Sequence, residues 1–114
     1  MAAPTHEDAV LMVQLAQWGT SMGLEDAIRV LLNEDFDPDT AEHTDPPVMT
    51  TLFFGESVGT LVKNDLLSSE LVHDWIWVAG LWTRVAPAAR NARDALGESR
   101  LYENFEALAA SAPA

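Results

Sequence analysis

Apolar residues recur along this chain at the spacing of helical faces, not in the alternation typical of strands. From Leu24 to Leu32 they fall at i, i+3, i+4, i+7 and i+8, which matches one side of an α-helix. No segment alternates over several residues. Residue types favoured at helix N-caps precede the other apolar stripes: Thr5, Asp45, Ser68 or Ser69, and Ser99. The pattern predicts an all-α, single-domain bundle of five to six helices spanning residues 1–114.

Glycine and proline divide this pattern into elements. Gly19 is expected to end the first helix and Gly97 the penultimate one, because glycine is common just past a helix C-terminus. Pro87 is expected to kink the Trp-rich helix or to start another. Residues 35–47 form a polar, acidic loop with several turn signals. In the third helix, Gly55 and Gly59 lie four residues apart, which predicts a bare face that a neighbouring helix can approach closely.

The segment that follows Ser68 is apolar on more than one side. Trp75 and Trp82 lie seven residues apart and are predicted to share a buried helical face. Trp77 and Leu81 are expected to project from another side of the same helix. A helix that is apolar almost all round is buried on both sides, which is hard to arrange in a small monomer. Trp77 and Leu81 are therefore predicted to form the interface of a homodimer.

Composition and charge restrict the possible partners. Hydrophobic residues make up 48% of the chain and charged residues 21%, which is typical of a folded domain. The formal net charge is -12, and ten of the eighteen acids lie in residues 1–45. This excess argues against nucleic-acid binding, which needs basic residues for the phosphates. It leaves open an acidic decoy or inhibitor that binds a basic protein. Cysteine is absent, which excludes disulfides and thiol nucleophiles.

Neither the start of the chain nor its longest apolar run predicts contact with a membrane. The start has no basic segment before an apolar one, as a secretory signal requires. The longest strongly apolar, uncharged run extends over residues 75–83, far short of a bilayer span. The expected location is cytoplasmic.

Two spacings are typical of metal sites. Glu70 and His73 have the Glu-x-x-His spacing of di-iron bundles, and Glu103 and Glu106 repeat the i, i+3 spacing. A single Glu-x-x-His copy is unsurprising by chance, whereas such bundles require two, and a helix-terminal role for Glu70 is the simpler explanation. Residues 35–39 resemble the start of a calcium loop but lack the later glycine and glutamate. A metal-dependent bundle therefore stays an alternative, and the expectation is no metal site and no cofactor.

The second half of the chain resembles a bacterial, all-helical family of unknown function. The resemblance covers about residues 47–110 and is strongest in the run Tyr-Glu-Asn-Phe-Glu at residues 102–106. Phe53, Phe54, Glu56 and Gly59 are similar to its upstream phenylalanine-glutamate-glycine signature, although here Gly55 separates the glutamate from the aromatic pair. The resemblance implies a helical fold and assigns no catalytic residue.

The same run suggests a structural clamp between the last helix and the Trp-rich one. Phe105 is predicted to be core, and Glu106 to pair with Arg93 or Arg84, because arginine matches carboxylates in a bidentate fork. Tyr102 lies one turn from Glu106 on a helix expected to begin near Arg100. No catalytic motif is present, so the sequence favours a small helical protein that acts through protein–protein association.

Overall fold

The computed structural model describes residues 3–113, and within them the chain forms helices and no strand. The six helices are α1 (His6–Ser21), α2 (Leu24–Leu32), α3 (Pro46–Lys63), α4 (Ser69–Trp75), α5 (Val78–Leu96) and α6 (Glu103–Ala110). The prediction of an all-α bundle is confirmed. Within the described range, no helix is long and apolar enough to cross a membrane.

Helix α1 begins at a complete capping box. The Thr5 hydroxyl accepts from the Asp8 N–H at 3.1 Å, and the Thr5 N–H donates to the Asp8 carboxylate at 2.8 Å. The Thr5 backbone N–H holds the pKa of the Asp8 carboxyl below its usual value. The other Asp8 oxygen accepts from the Ser68 N–H at 3.0 Å, which joins α1 to the start of α4. The first helix continues past Gly19, which instead packs against Phe54.

Helix α3 lies at the centre of the bundle and packs most extensively against α6 and α2. Asp45 precedes it and Pro46 and Pro47 occupy its first turn, as predicted, because proline needs no N–H donor there. The Asp45 carboxylate accepts from the Glu42 N–H at 2.9 Å and makes no cap bond. The helix ends at Lys63, with Asn64 as its C-cap.

The predicted long Trp-rich helix is in fact two helices. Ile76 has an extended backbone and ends α4, and Trp77 (φ -77, ψ 72) is the centre of an inverse γ-turn. The Val78 N–H donates to the Ile76 carbonyl across this turn at 2.9 Å. The bulky and β-branched residues here disfavour helix, which explains the break. Pro87, in contrast, lies inside α5, which continues to Leu96 and ends at Gly97 in the left-handed conformation.

The last helix begins at Glu103, later than predicted. Residues 97–102 form turns, and Tyr102 takes a left-handed backbone conformation with φ 62. Apolar side chains from all six helices meet in one core cluster, which also includes Tyr102 and, from the turn after α3, Leu67. The largest apolar side chains that are fully buried are Leu31, Val48, Leu52, Val58, Val72 and Val85.

Candidate functional site

The contact between α3 and α6, which we call the α3–α6 seam, is closed by the two glycines of α3. A β-carbon added at Gly55 would overlap the ring of Phe105, and one added at Gly59 would overlap the backbone of Asn104. The close helix approach that the Gly55–Gly59 spacing predicts is therefore present. The partner segment is the Tyr-Glu-Asn-Phe-Glu run at residues 102–106, so the glycine pair and this run meet in one contact.

Glu56 caps the N-terminus of α6 from the neighbouring helix. Its Oε1 accepts from the backbone N–H groups of Asn104 and Phe105, each at 3.0 Å, and its Oε2 accepts from Asn104 Nδ2 at 2.9 Å. The first N–H groups of a helix lack intrahelical partners, and the N-terminus favours negative charge. Sequence reasoning assigned Glu56 no role. Glu56 lies three residues before Gly59 and so shares its helix face, and this position was the signal that could have placed Glu56 at the close contact.

Phe105 is buried against the Trp82 ring, with centroids 5.1 Å apart in an edge-to-face arrangement. Tyr102 is also buried, and burial, together with the nearby Glu56 charge, raises the pKa of its hydroxyl above the ordinary value. Tyr102 precedes α6 and has a non-helical backbone. The predicted helical pair of Tyr102 and Glu106 is therefore not formed on a shared helix.

The two arginines of the predicted clamp have different partners. Arg93 Nη2 lies 2.9 Å from Glu106 Oε1, an ion pair without hydrogen-bond geometry, and Arg93 Nε donates to the Leu101 carbonyl at 2.7 Å. Arg84 does not reach Glu106. It donates to the carbonyls of Leu31, Asn33 and Phe36 at 2.6–3.1 Å, where the exposed carbonyls at the end of α2 attract a cation.

The candidate metal ligands Glu70 and His73 differ in their surroundings. Glu70 is exposed, whereas His73 is half-buried with its Nε2 3.3 Å from the Ser111 hydroxyl. Burial lowers the pKa of His73. Glu103 pairs with Arg100 at 2.8 Å rather than with these residues. Within residues 3–113, no three His, Asp or Glu side chains are grouped as a metal site would require.

The acidic loop has the geometry of a solvated turn. Asp35, Asp37 and Asp39 are exposed, and the Asp37 carboxylate accepts from the Asp39 N–H at 3.0 Å. Short polar side chains bond the backbone in this way in many turns.

Trp77 and Leu81 occupy different environments. Leu81 is 5% exposed and belongs to the chain's own core, because the break before α5 turns it inward; this corrects the expectation that it projects from the bundle. Trp77 is 68% exposed, and a β-carbon added at Gly80 would overlap its indole ring. The break also removes the long, all-round apolar helix on which the interface prediction rested.

A partly open apolar cavity of about 240 Å³ lies beside Trp77. Its walls come from α2, α3, α6 and the α4–α5 junction, and it adjoins a shallow groove along α2. We define the Trp77 surface as the apolar residues that border this opening: Ile28, Leu32, Trp75, Ile76 and Trp77.

Comparison with known proteins gives a family and no characterised relative. No curated protein and no solved structure matches the chain. Residues 5–112 match the family described as a domain of unknown function, DUF4760. This match includes all six helices and both sides of the α3–α6 seam. The chain therefore belongs to the DUF4760 family.

Proposed function

We propose that this domain acts through protein–protein association and that two copies form a homodimer through the Trp77 surface. The observation that carries this proposal is the exposure of Trp77, at 68%, beside a set of other apolar side chains. Tryptophan is enriched at the energetic centres of interfaces, where charged residues are depleted. Leu32 is exposed at the same opening, and Ile28, Trp75 and Ile76 are half-buried there.

The shape of the Trp77 surface supports a second copy as the partner. A two-fold interface uses the same patch on both subunits, so the patch must be complementary to itself. The Trp77 surface combines a protruding indole with an adjacent recess, which are the two parts of such a contact. The charged residues at its edge, Glu25 and Arg29, already pair with each other at 2.6 Å. These two charges are therefore already neutralised where a second acidic chain would approach.

The experiment is sedimentation of the purified protein at tens of micromolar, with folding checked by circular dichroism. We expect a mass of about twice 12.4 kDa. Trp77→Asp is expected to give a folded monomer. Leu96→Asp is the matched control, because Leu96 is 64% exposed at the far end of α5, the helix that follows Trp77. A monomeric wild type, or equal disruption by both variants, would contradict the proposal.

A basic protein partner is the second candidate. It is favoured by the acidic loop, where Glu34, Asp35, Asp37, Asp39 and Glu42 are all exposed. Salt distinguishes the two candidates, because exposed charges are screened within about 8 Å at physiological ionic strength. Binding to a basic protein should weaken as salt rises. The homodimer should persist, since salt also screens the repulsion between two acidic chains.

A further inference from the structure

The cavity behind the Trp77 surface extends from the solvent into the core of the bundle. Its mouth is bordered by the exposed Leu32 and Trp77, and its inner walls include the buried side chains of Val58, Phe105 and Leu108. The volume is about 240 Å³. The opening therefore leads to interior space that extends inward beyond the recess at its mouth.

The walls of the cavity carry no charge. Among the described residues that line it, the polar side-chain groups are the Thr51 hydroxyl and the indole N–H groups of Trp75 and Trp77. The Thr51 hydroxyl already donates to the Pro47 carbonyl at 2.9 Å. A charged group placed inside would lose its hydration without gaining a partner, which is strongly unfavourable.

Water is also a poor occupant of this space. A buried water molecule is held by two to four polar partners, and an apolar cavity of about 150 Å³ in another protein stays dry and binds benzene. The cavity here has a volume of about 240 Å³ and is open at its mouth, but its inner walls are likewise apolar and offer water few partners. Filling it with an apolar molecule removes hydrocarbon surface from water without breaking strong hydrogen bonds.

Entry does not require the bundle to open. The indole of Trp77 rests over Gly80 and is mostly exposed, so it is free to change rotamer at the mouth. Ile28 lies between the cavity and the adjoining groove and is half-buried. Both residues belong to the rim, whereas the α3–α6 seam forms the closed inner end.

We propose that this cavity is a binding site for a small, uncharged, apolar molecule about the size of a fused two-ring aromatic. The proposal goes beyond self-association and does not depend on it, because the inner walls belong to one chain. The geometry selects against anions and cations of similar size, since no wall residue offers an opposite charge.

The test compares two probes of one shape by isothermal titration calorimetry. We expect 2-naphthol, which is neutral at pH 7, to bind the full chain saturably with one site per chain. Naphthalene-2-sulfonate, which carries a charge on the same rings, is expected to bind at least tenfold more weakly. Methyl NMR on the wild type should place the neutral probe, with shifts concentrated at Val58, Leu81 and Leu108, which line the cavity.

The variant Ile28→Trp narrows the cavity from its rim and is expected to weaken 2-naphthol binding at least tenfold. Val30→Trp is the matched control, because Val30 is exposed on the same helix and does not line the cavity. Circular dichroism checks that both variants fold. If Ile28→Trp does not fold, the methyl shifts of the wild type show whether the probe binds in the cavity.

Three results would overturn the inference: no saturable binding of 2-naphthol, equal binding of the sulfonate, or methyl shifts outside the cavity. The oligomeric state is recorded in the same samples. A monomer that binds the probe supports the site and contradicts the homodimer, whereas a dimer that fails to bind does the reverse.

Discussion

The α3–α6 seam and the Trp77 surface each contain an aromatic ring that rests on a glycine: Phe105 on Gly55, and Trp77 on Gly80. The seam is closed, whereas the Trp77 surface is open. At the seam, Gly59 lies against the backbone of Asn104, and the Glu56 carboxylate uses the free N–H groups of α6. At the Trp77 surface, Gly80 lies against an exposed side chain, and a cavity of about 240 Å³ remains beside it.

The difference shows how the same residue types serve two purposes. A glycine that meets backbone lets two helices approach and leaves no room for a ligand. A glycine that meets an exposed ring only supports that ring, so the surroundings stay adaptable. Stability is therefore expected to concentrate at the seam, and binding at the Trp77 surface. The following three predictions separate these roles by measured unfolding free energies.

The largest difference in unfolding free energy is expected between two variants that each remove an aromatic ring, one from the seam and one from the Trp77 surface. Phe105→Ala should lower the unfolding free energy by about 3–5 kcal/mol, because it leaves a cavity in a packed core. Trp77→Ala should change it by about 0.5 kcal/mol or less, since most of that ring is exposed. Urea denaturation measures both at a protein concentration low enough that the wild type and both variants are monomeric. Similar losses would show that the Trp77 surface also carries the fold.

The second largest difference in unfolding free energy is expected between alanine substitutions of two glycines, one in each region. Gly59→Ala should destabilise by about 1–3 kcal/mol, because the backbone of Asn104 cannot move aside without shifting α6. Gly80→Ala should be neutral or stabilise by up to about 1 kcal/mol, since alanine is the better helix former and Trp77 is free to swing away. Thermal unfolding compares the two variants. A larger loss at Gly80 than at Gly59 would reverse the assignment of the rigid contact.

The smallest difference in unfolding free energy is expected between two glutamates. Glu56 caps α6 from α3, and Glu106 lies in α6 beside Arg93. Glu56→Gln should destabilise by about 1–2 kcal/mol, because the amide cannot accept all the hydrogen bonds that the carboxylate accepts at the helix N-terminus. Glu106→Gln should lose only about 0–1 kcal/mol, because its side chain is 40% exposed beside Arg93. Chemical denaturation in parallel measures the difference. Equal losses of unfolding free energy would show that Glu106 stabilises the fold as much as Glu56 does.

Local patterns were enough to predict most helix ends. Thr5, Ser68 and Gly97 stand at the predicted termini, because caps depend on a residue and its near neighbours along the chain. The Gly55–Gly59 spacing also predicted a close helix approach, since a four-residue interval places both on one face. The family resemblance pointed to the segments that form the seam, but not to the contact between them.

Errors arose where spacing and cap residues carried no signal. The Trp-rich helix was expected to kink or divide at Pro87, whereas the chain divides at Ile76 and Trp77, and Pro87 lies within α5. Arg84 bonds to the end of α2 rather than to Glu106, because three carbonyls converge there. A spacing rule cannot supply these partners, since they come from segments about fifty residues away.

Charge, helical content and the positions of caps follow from residue identity and near-neighbour geometry, which act before the helices meet. The role of Glu56, the burial of Leu81 and the cavity beside Trp77 exist only in the assembled bundle. Each depends on how two or more helices fit together, and a shift of one turn in any of them would change it. The interior space is the clearest case, because a cavity is a property of the packing and belongs to no single residue.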